Sequence, residues 1–181
     1  MERKLFIEDD VLALLKYTKD DDMDLYKCRL DIETQRAFNT KIPKEHNMME
    51  QFPFTQKVWD NPFSAVIVDK KSNKIIGSVI FSLPPYDDDN SLAIYIYNPY
   101  RKMGYGARAF YLGAKYCFEQ IGVNIVGSSC YENNIASQKM HDKLGFIRLD
   151  EKDSHEICDF TGKPIIQYEY YVTKSMLRYT P

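Results

Sequence analysis

The chain has 181 residues, enough for one domain with a sizeable core and too few for two, so a single domain over 1–181 is expected. Apolar residues make up 44% and aromatics 14%, which excludes a disordered chain, and a formal charge of -2 without any Lys/Arg run argues against nucleic acid as a partner. No apolar run reaches membrane-spanning length, no signal-peptide core follows Met1, and the four scattered cysteines (Cys28, Cys117, Cys130, Cys158) lack C-x-x-C spacing, so a cytoplasmic protein with free thiols, no metal and no membrane contact is expected.

Residues 1–10 are charged and read as loose or as an edge addition, and the apolar run 11–16 predicts a first strand. Thr18 offers a helix cap, and Asp20, Asp21, Asp22 and Asp24 favour a helix start through its dipole. That acidic run reads as a solvated turn, with attraction of a cationic substrate as the alternative. A second helix is expected around 32–38, then a Pro-containing loop over 39–54 and a short helix at 55–59. Residues 63–69 and 74–83 form two β-rich runs joined as an antiparallel hairpin, with Gly77 marking a bulge or a close backbone approach. Pro84 and Pro85 end the second run, and the acidic turn Asp87, Asp88, Asp89 leads into a strand at 91–97.

Directly after that strand stands R-x-x-G-x-G, made by Arg101, Gly104 and Gly106. The helix that follows carries Ala107, Phe110, Tyr111, Ala114, Cys117, Phe118 and Ile121 at i, i+3, i+4 spacing, so one face lies on a sheet. A glycine-bearing turn between strand and helix leaves backbone N–H groups unpaired at the positive end of the helix dipole, a site for phosphate; the plainer reading is an ordinary Gly-containing loop. It is neither a dinucleotide fingerprint, lacking the third glycine, nor a Walker loop, lacking Gly-Lys-Ser/Thr.

A strand at 125–131 follows, then a helix on which Asn134, Ser137 and His141 share one face beside an apolar stripe of Ala136, Met140 and Leu144, with Gly145 as C-cap. Here too a plain reading stands alongside: Asn133 or Asn134 is an N-cap, and Ser137 and His141 are merely solvated. Strands at 147–150 and 167–173 close the chain. The expected architecture is α/β (α+β), a mixed, mostly antiparallel sheet of six to seven strands with helices on both faces.

Together, the loop and the later Asn-x-x-Ser…Leu-Gly-Phe element (Asn134, Ser137, Leu144, Gly145, Phe146) resemble the GNAT superfamily of N-acetyltransferases, most of all the branch that acetylates ribosomal-protein N-termini. The resemblance implies acetyl-CoA as acetyl donor, held at Arg101, Lys102, Met103, Gly104, Tyr105, Gly106 and Ala107, with a strand N–H near Ile96 polarising the thioester. It implies Asn134 and Ser137 as further cofactor contacts, and Ser137 as proton donor to the leaving thiolate. His141, where the family commonly has Tyr, is the alternative donor. Ser91 and Ser129 stand where relatives carry a basic Glu, so Glu33, Glu132, Asp150, Glu151 or Glu169 would have to act through water. Phe52, Phe54 and Trp59 would line the acceptor cleft, Tyr95, Tyr97 and Tyr131 would shape it, and Tyr86 beside the acidic turn would suit a cationic amine. The implied activity is direct acetyl transfer to a primary amine in a ternary complex; a non-catalytic coenzyme A-binding module and transfer of a longer acyl group are the competing functions. Monomer and homodimer both fit, the latter through pairing of the edge strand at 167–173.

Overall fold

The computed structural model describes residues 3–43, 56–58, 60–84 and 90–180. Phe52, Phe54, Trp59, Tyr86 and Asp87 to Asp89 lie outside the described residues. Nine strands are described: β1 (Leu5–Glu8), β2 (Leu12–Lys16), β3 (Ala65–Asp69), β4 (Lys74–Ser82), β5 (Ser91–Ile96), β6 (Ile125–Tyr131), β7 (Ile147–Arg148), β8 (Ser154–Ile157) and β9 (Pro164–Thr173). They join in the order β1-β2-β3-β4-β5-β6-β9-β7, with β8 also on β9. Every pairing is antiparallel except β5 with β6. The α-helices whose bounds are described are α1 (Asp22–Leu30), α2 (Ile32–Ala37), α3 (Tyr105–Tyr116) and α4 (Ile135–Leu144), and residues 56–58, within the short helix expected at 55–59, are helical too. None is long and apolar enough to cross a membrane.

The sheet has more strands than the six to seven expected. Of the two readings for the charged N-terminal stretch, loose or an edge addition, the second holds: Leu5–Glu8 form the edge strand β1. Its turn is made by Asp9, whose Oδ1 accepts the N–H groups of Val11 and Leu12 at 2.8 Å while its Oδ2 accepts Arg108 Nε of α3 at 2.6 Å. An unforeseen strand, β8, forms a hairpin with β9 through the left-handed Gly162 (φ 67°).

Alternation along the strands divides the core between the two faces. Leu12, Leu14, Ile67, Ile76 and Phe81 are fully buried on the α3 and α4 side, together with Phe110, Leu112 and Leu144. Ala13, Val66, Val68, Tyr95 and Tyr97 face α1, where Tyr17, Leu25 and Cys28 complete a second cluster. Each fully buried aliphatic side chain contributes about 1.5–3 kcal/mol. Two of the acidic residues before α1 depart from the solvated turn that composition suggests. Asp21 and Asp22 are buried; Asp21 takes a bidentate pair from Arg3 at 2.6 and 2.8 Å, and Asp22 accepts the Tyr17 hydroxyl at 3.0 Å.

Hydrogen bonds that tie the β6–β9 part of the sheet to the rest include the β5–β6 pair and those of Asn39, buried just after α2 with φ 45°, whose Nδ2 donates to the Ile157 carbonyl at 3.1 Å and whose Oδ1 accepts the Asp159 N–H at 2.9 Å.

Gly77 combines both features expected of it. Register shifts between Ile67 and Val68 opposite it, and a Cβ placed on it would lie 2.3 Å from the Tyr95 carbonyl oxygen. Gly77→Ala is expected to cost about 1–3 kcal/mol, the range for overpacking against a backbone that cannot yield, read as a lower urea midpoint at unchanged slope.

Candidate active site

The inner strands β5 and β6 share a single pairing, Ser91 opposite Gly127, with the Gly127 N–H donating to the Asn90 carbonyl at 2.9 Å. Beyond it each strand stays with its outer partner, β4 or β9, and the inner edges part. The gap widens into a cavity of about 1800 Å³. Tyr97 donates its N–H to Ile76 of β4 at 2.9 Å, so by alternation the backbone groups of Ile94 and Ile96 point into the gap.

The cavity has two sides. Toward α3 and α4 it is lined by Ile94, Ile96, Gly106, Phe110, Cys130 and Ser137; toward α1 and α2 by Glu33, Phe38, Tyr95, Ser129, Glu169 and Tyr171. Phe38 stacks on Tyr95 with ring centroids 4.5 Å apart, which makes the α2 side a flat aromatic wall.

On the first side the glycine turn behaves as a helix-terminus anion site should. A 3-10 turn at Asn98–Tyr100, with Pro99 in its first positions, turns the chain away from β5. Lys102 (φ 61°) and Gly104 (φ 84°) are left-handed, and α3 starts at Tyr105. The first N–H groups of a helix have no acceptor within it, so those of Tyr105, Gly106 and Ala107 are available to a ligand at the positive dipole end. A Cβ on Gly106 would meet only Ile94 Cδ1 at 3.7 Å and Ile96 Cγ1 at 3.8 Å; anything longer must grow into the gap. Lys102 is exposed beside the cavity, Met103 points to solvent at 61% exposure, and Tyr105 packs on the core.

Arg101, expected as a phosphate contact, has its side chain directed away from the glycine turn. Its guanidinium is turned back: Nε donates to the Ile96 carbonyl at 2.9 Å, Nη1 to Asp31 at 2.6 Å and Nη2 to the Thr34 hydroxyl at 2.6 Å. Asp31 is also the N-cap of α2, accepting the Thr34 N–H at 3.0 Å. Burial works to raise its pKa, but the Arg101 and Thr34 hydrogen bonds outweigh this and hold it below the usual carboxylate range.

The polar stripe on α4 is split. Asn134 caps the helix, its Oδ1 accepting the Ser137 N–H at 3.1 Å. The Ser137 side chain lines the cavity and faces the Cys130 thiol, whose pKa burial pushes up. His141 leaves the stripe altogether: it is fully buried, neither solvated nor in the cavity lining. Its Nε2 pairs with Ser128 Oγ at 2.9 Å, and its ring stacks on Tyr170 with centroids 4.3 Å apart. Its Nδ1 has no hydrogen-bond partner among the described residues, and desolvation lowers the pKa to about 4.

The five carboxylates separate by position. Glu132 Oε1 accepts the Ile166 N–H at 3.0 Å, and Asp150 pairs with Arg148 at 3.0 Å on the surface. Glu33, Glu151 and Glu169 line the cavity. Glu33 lies 3.3 Å from Arg101, Glu151 is exposed on the 3-10 turn Asp150–Lys152, and Glu169 stands on the sheet opposite Ser129. Ser129 accepts Gln167 Nε2 at 2.9 Å. Sequence reasoning missed Cys130 and Tyr170, which face Ser137 and His141; the alternating tyrosines of residues 168–171 were the available signal.

The chain matches the family profile of the acetyltransferase (GNAT) domain over residues 12–147. No curated protein sequence matches it. Among solved structures it is similar to a GNAT-family acetyltransferase from Bacillus anthracis (17% identity, 95% of this chain and 99% of that one, TM-score 0.74). It is also similar to spermidine N-acetyltransferase from Vibrio cholerae, solved with CoA and spermine (14% identity, 93% and 98% covered, TM-score 0.72). A third is a Vibrio cholerae protein named as a candidate ribosomal-protein-serine acetyltransferase (19% identity, 94% and 97% covered, TM-score 0.67).

The burial of His141 has a signed consequence for stability. Its folded pKa of about 4 lies below the unfolded value of 6.5, so the unfolded chain binds the extra proton between them. This contribution is full above the window and is lost as pH falls through it, by about 3 kcal/mol. In urea unfolding, the loss between pH 7.5 and 4 should be larger by about that amount for wild type than for His141→Asn.

Proposed function

The chain belongs to the GNAT acetyltransferase family, and from that premise we propose that it forms one domain that transfers acetyl from acetyl-CoA directly to a primary amine in a ternary complex. One observation carries this reading: a single gap between β5 and β6 meets the unpaired N–H groups of α3 on one side and carboxylates on the other. An anionic donor is favoured at the first, a cationic acceptor at the second.

In this reading the N–H groups of Tyr105, Gly106 and Ala107 take the pyrophosphate, with Lys102 adding charge at the mouth. The N–H of Ile96 faces the gap, where it can polarise the thioester oxygen. The amine attacks the carbonyl carbon, the C–S bond breaks, the amine proton passes to a base and the thiolate takes a proton from an acid. Ser137, whose backbone N–H is held by the Asn134 cap and whose side chain lines the cavity, is the donor of that proton in this reading. His141 is sealed from the cavity and neutral at physiological pH, so the serine is the better donor. Glu169 is the preferred base, acting through water, because it lines the cavity on the sheet itself, opposite Ser129.

Calorimetry with acetyl-CoA and with coenzyme A, each without acceptor, tests the donor half. Micromolar binding is expected; none at high micromolar concentration would end the reading. Gly106→Leu should leave the fold intact and abolish that binding, since the added side chain occupies the gap. With an amine found by thiol release, Ser137→Ala should lower turnover about 100-fold at unchanged acetyl-CoA affinity. Glu169→Gln should lower it similarly and remove the acidic limb of the pH–rate profile.

A further inference from the structure

Arg101 begins the glycine loop on the donor side, yet its guanidinium points to the acceptor side. A guanidinium has five N–H groups. This one makes five contacts: the Ile96 carbonyl (2.9 Å), Asp31 (2.6 Å), Glu33 (3.3 Å), Thr34 Oγ1 (2.6 Å) and Cys28 Sγ (3.7 Å). The side chains of Arg101 and Asp31 are each only 18% exposed. No N–H remains for a phosphate. The partners come from three elements: the end of β5, the last turn of α1, and the cap and first turn of α2. Asp31 binds the same loop a second time, its Oδ1 accepting Asn98 Nδ2 at 3.2 Å.

The arrangement has a direct consequence for α2. That helix has six residues, too short to be stable by itself, and it carries Glu33, Thr34, Ala37 and Phe38 into the cavity. Its N-terminus is capped by the carboxylate that Arg101 grips. A planar fork holding a cap, a hydroxyl and a strand carbonyl together fixes the angle at which α2 stands over β5.

We propose that Arg101 is a positioning residue that locks the acceptor wall α2 onto β5, and that its side chain does not bind the donor's phosphates. The assignment of α2 to the acceptor side rests on the acetyl-transfer reading above. Arg101→Ala and Asp31→Asn are the test variants, the second keeping the shape of the cap should the first fail to fold. Three readouts apply: hydrogen exchange of residues 32–38, calorimetry with coenzyme A, and KM for the acceptor amine. Exchange in α2 should quicken about tenfold or more and acceptor KM should rise about tenfold, while coenzyme A affinity stays within about threefold. Arg101→Lys should not rescue either effect, because a point charge cannot reproduce the fork. Unchanged α2 exchange, unchanged acceptor KM, or a tenfold loss of coenzyme A affinity each overturns the proposal. If wild-type protein binds no coenzyme A, the acetyl-transfer reading falls, while the exchange data still decide whether Arg101 holds α2.

Discussion

The structure depends on one short pairing. Ser91 and Gly127 meet in parallel, and among the described residues no further pair extends the ladder. Two inner strands in the middle of a sheet would ordinarily satisfy each other's backbone groups along their length. Here each has a full antiparallel partner on its outer side only, so the inner edges carry N–H and C=O groups that must be met some other way. Arg101 meets the Ile96 carbonyl, and a bound ligand is the natural partner for the rest. The site is therefore a break in the sheet rather than a hollow in a finished core.

Strand alternation then sorts the chemistry. On β5, β6 and β9 neighbouring residues face opposite sides of the break, so one set (Ile94, Ile96, Cys130) joins the glycine loop and Ser137, and the next set (Tyr95, Ser129, Glu169) joins α2. In the proposed acetyl transfer, donor and acceptor would approach from these opposite sides without competing for volume. The asymmetry follows from a period of two applied to three short strands, with no side chain dedicated to keeping the substrates apart.

Much of this was legible in the sequence because it rests on local signals. The strand before Arg101, the glycine turn between that strand and α3, and an Asn cap on α4 (Asn134, of the two candidates Asn133 and Asn134) are short-range features, and all three are present. What was not legible depends on distant partners. Nothing local to Arg101 signals Asp31, 70 residues earlier, against which its guanidinium is held. His141 shares a helical face with Asn134 and Ser137, but α4 ends against β9, so seven residues along the same face the surroundings change from cavity to core. The buried Asp21 reads as solvated because Arg3, 18 residues earlier, reaches it only through the fold, whereas the partner of Asp22, Tyr17, stands five residues away and was the nearer signal. Family resemblance had the fold right and gave no hint of these three.

The Phe110 ring sits where the two parts of the sheet are spanned from beneath. It lines the cavity on one side and meets His141 and Phe146 edge-on at 5.5 and 5.4 Å on the other. Past Ser91 and Gly127 no ladder fixes the distance between the strands, so the spacing is set by the volumes packed under them. A ladder can only slip by whole residues, reversing every side chain or restoring the same faces two steps on. A spacing set by packed volume changes by a methylene at a time. The width of this active site is accordingly a graded property of its core, open to adjustment without any change in strand register.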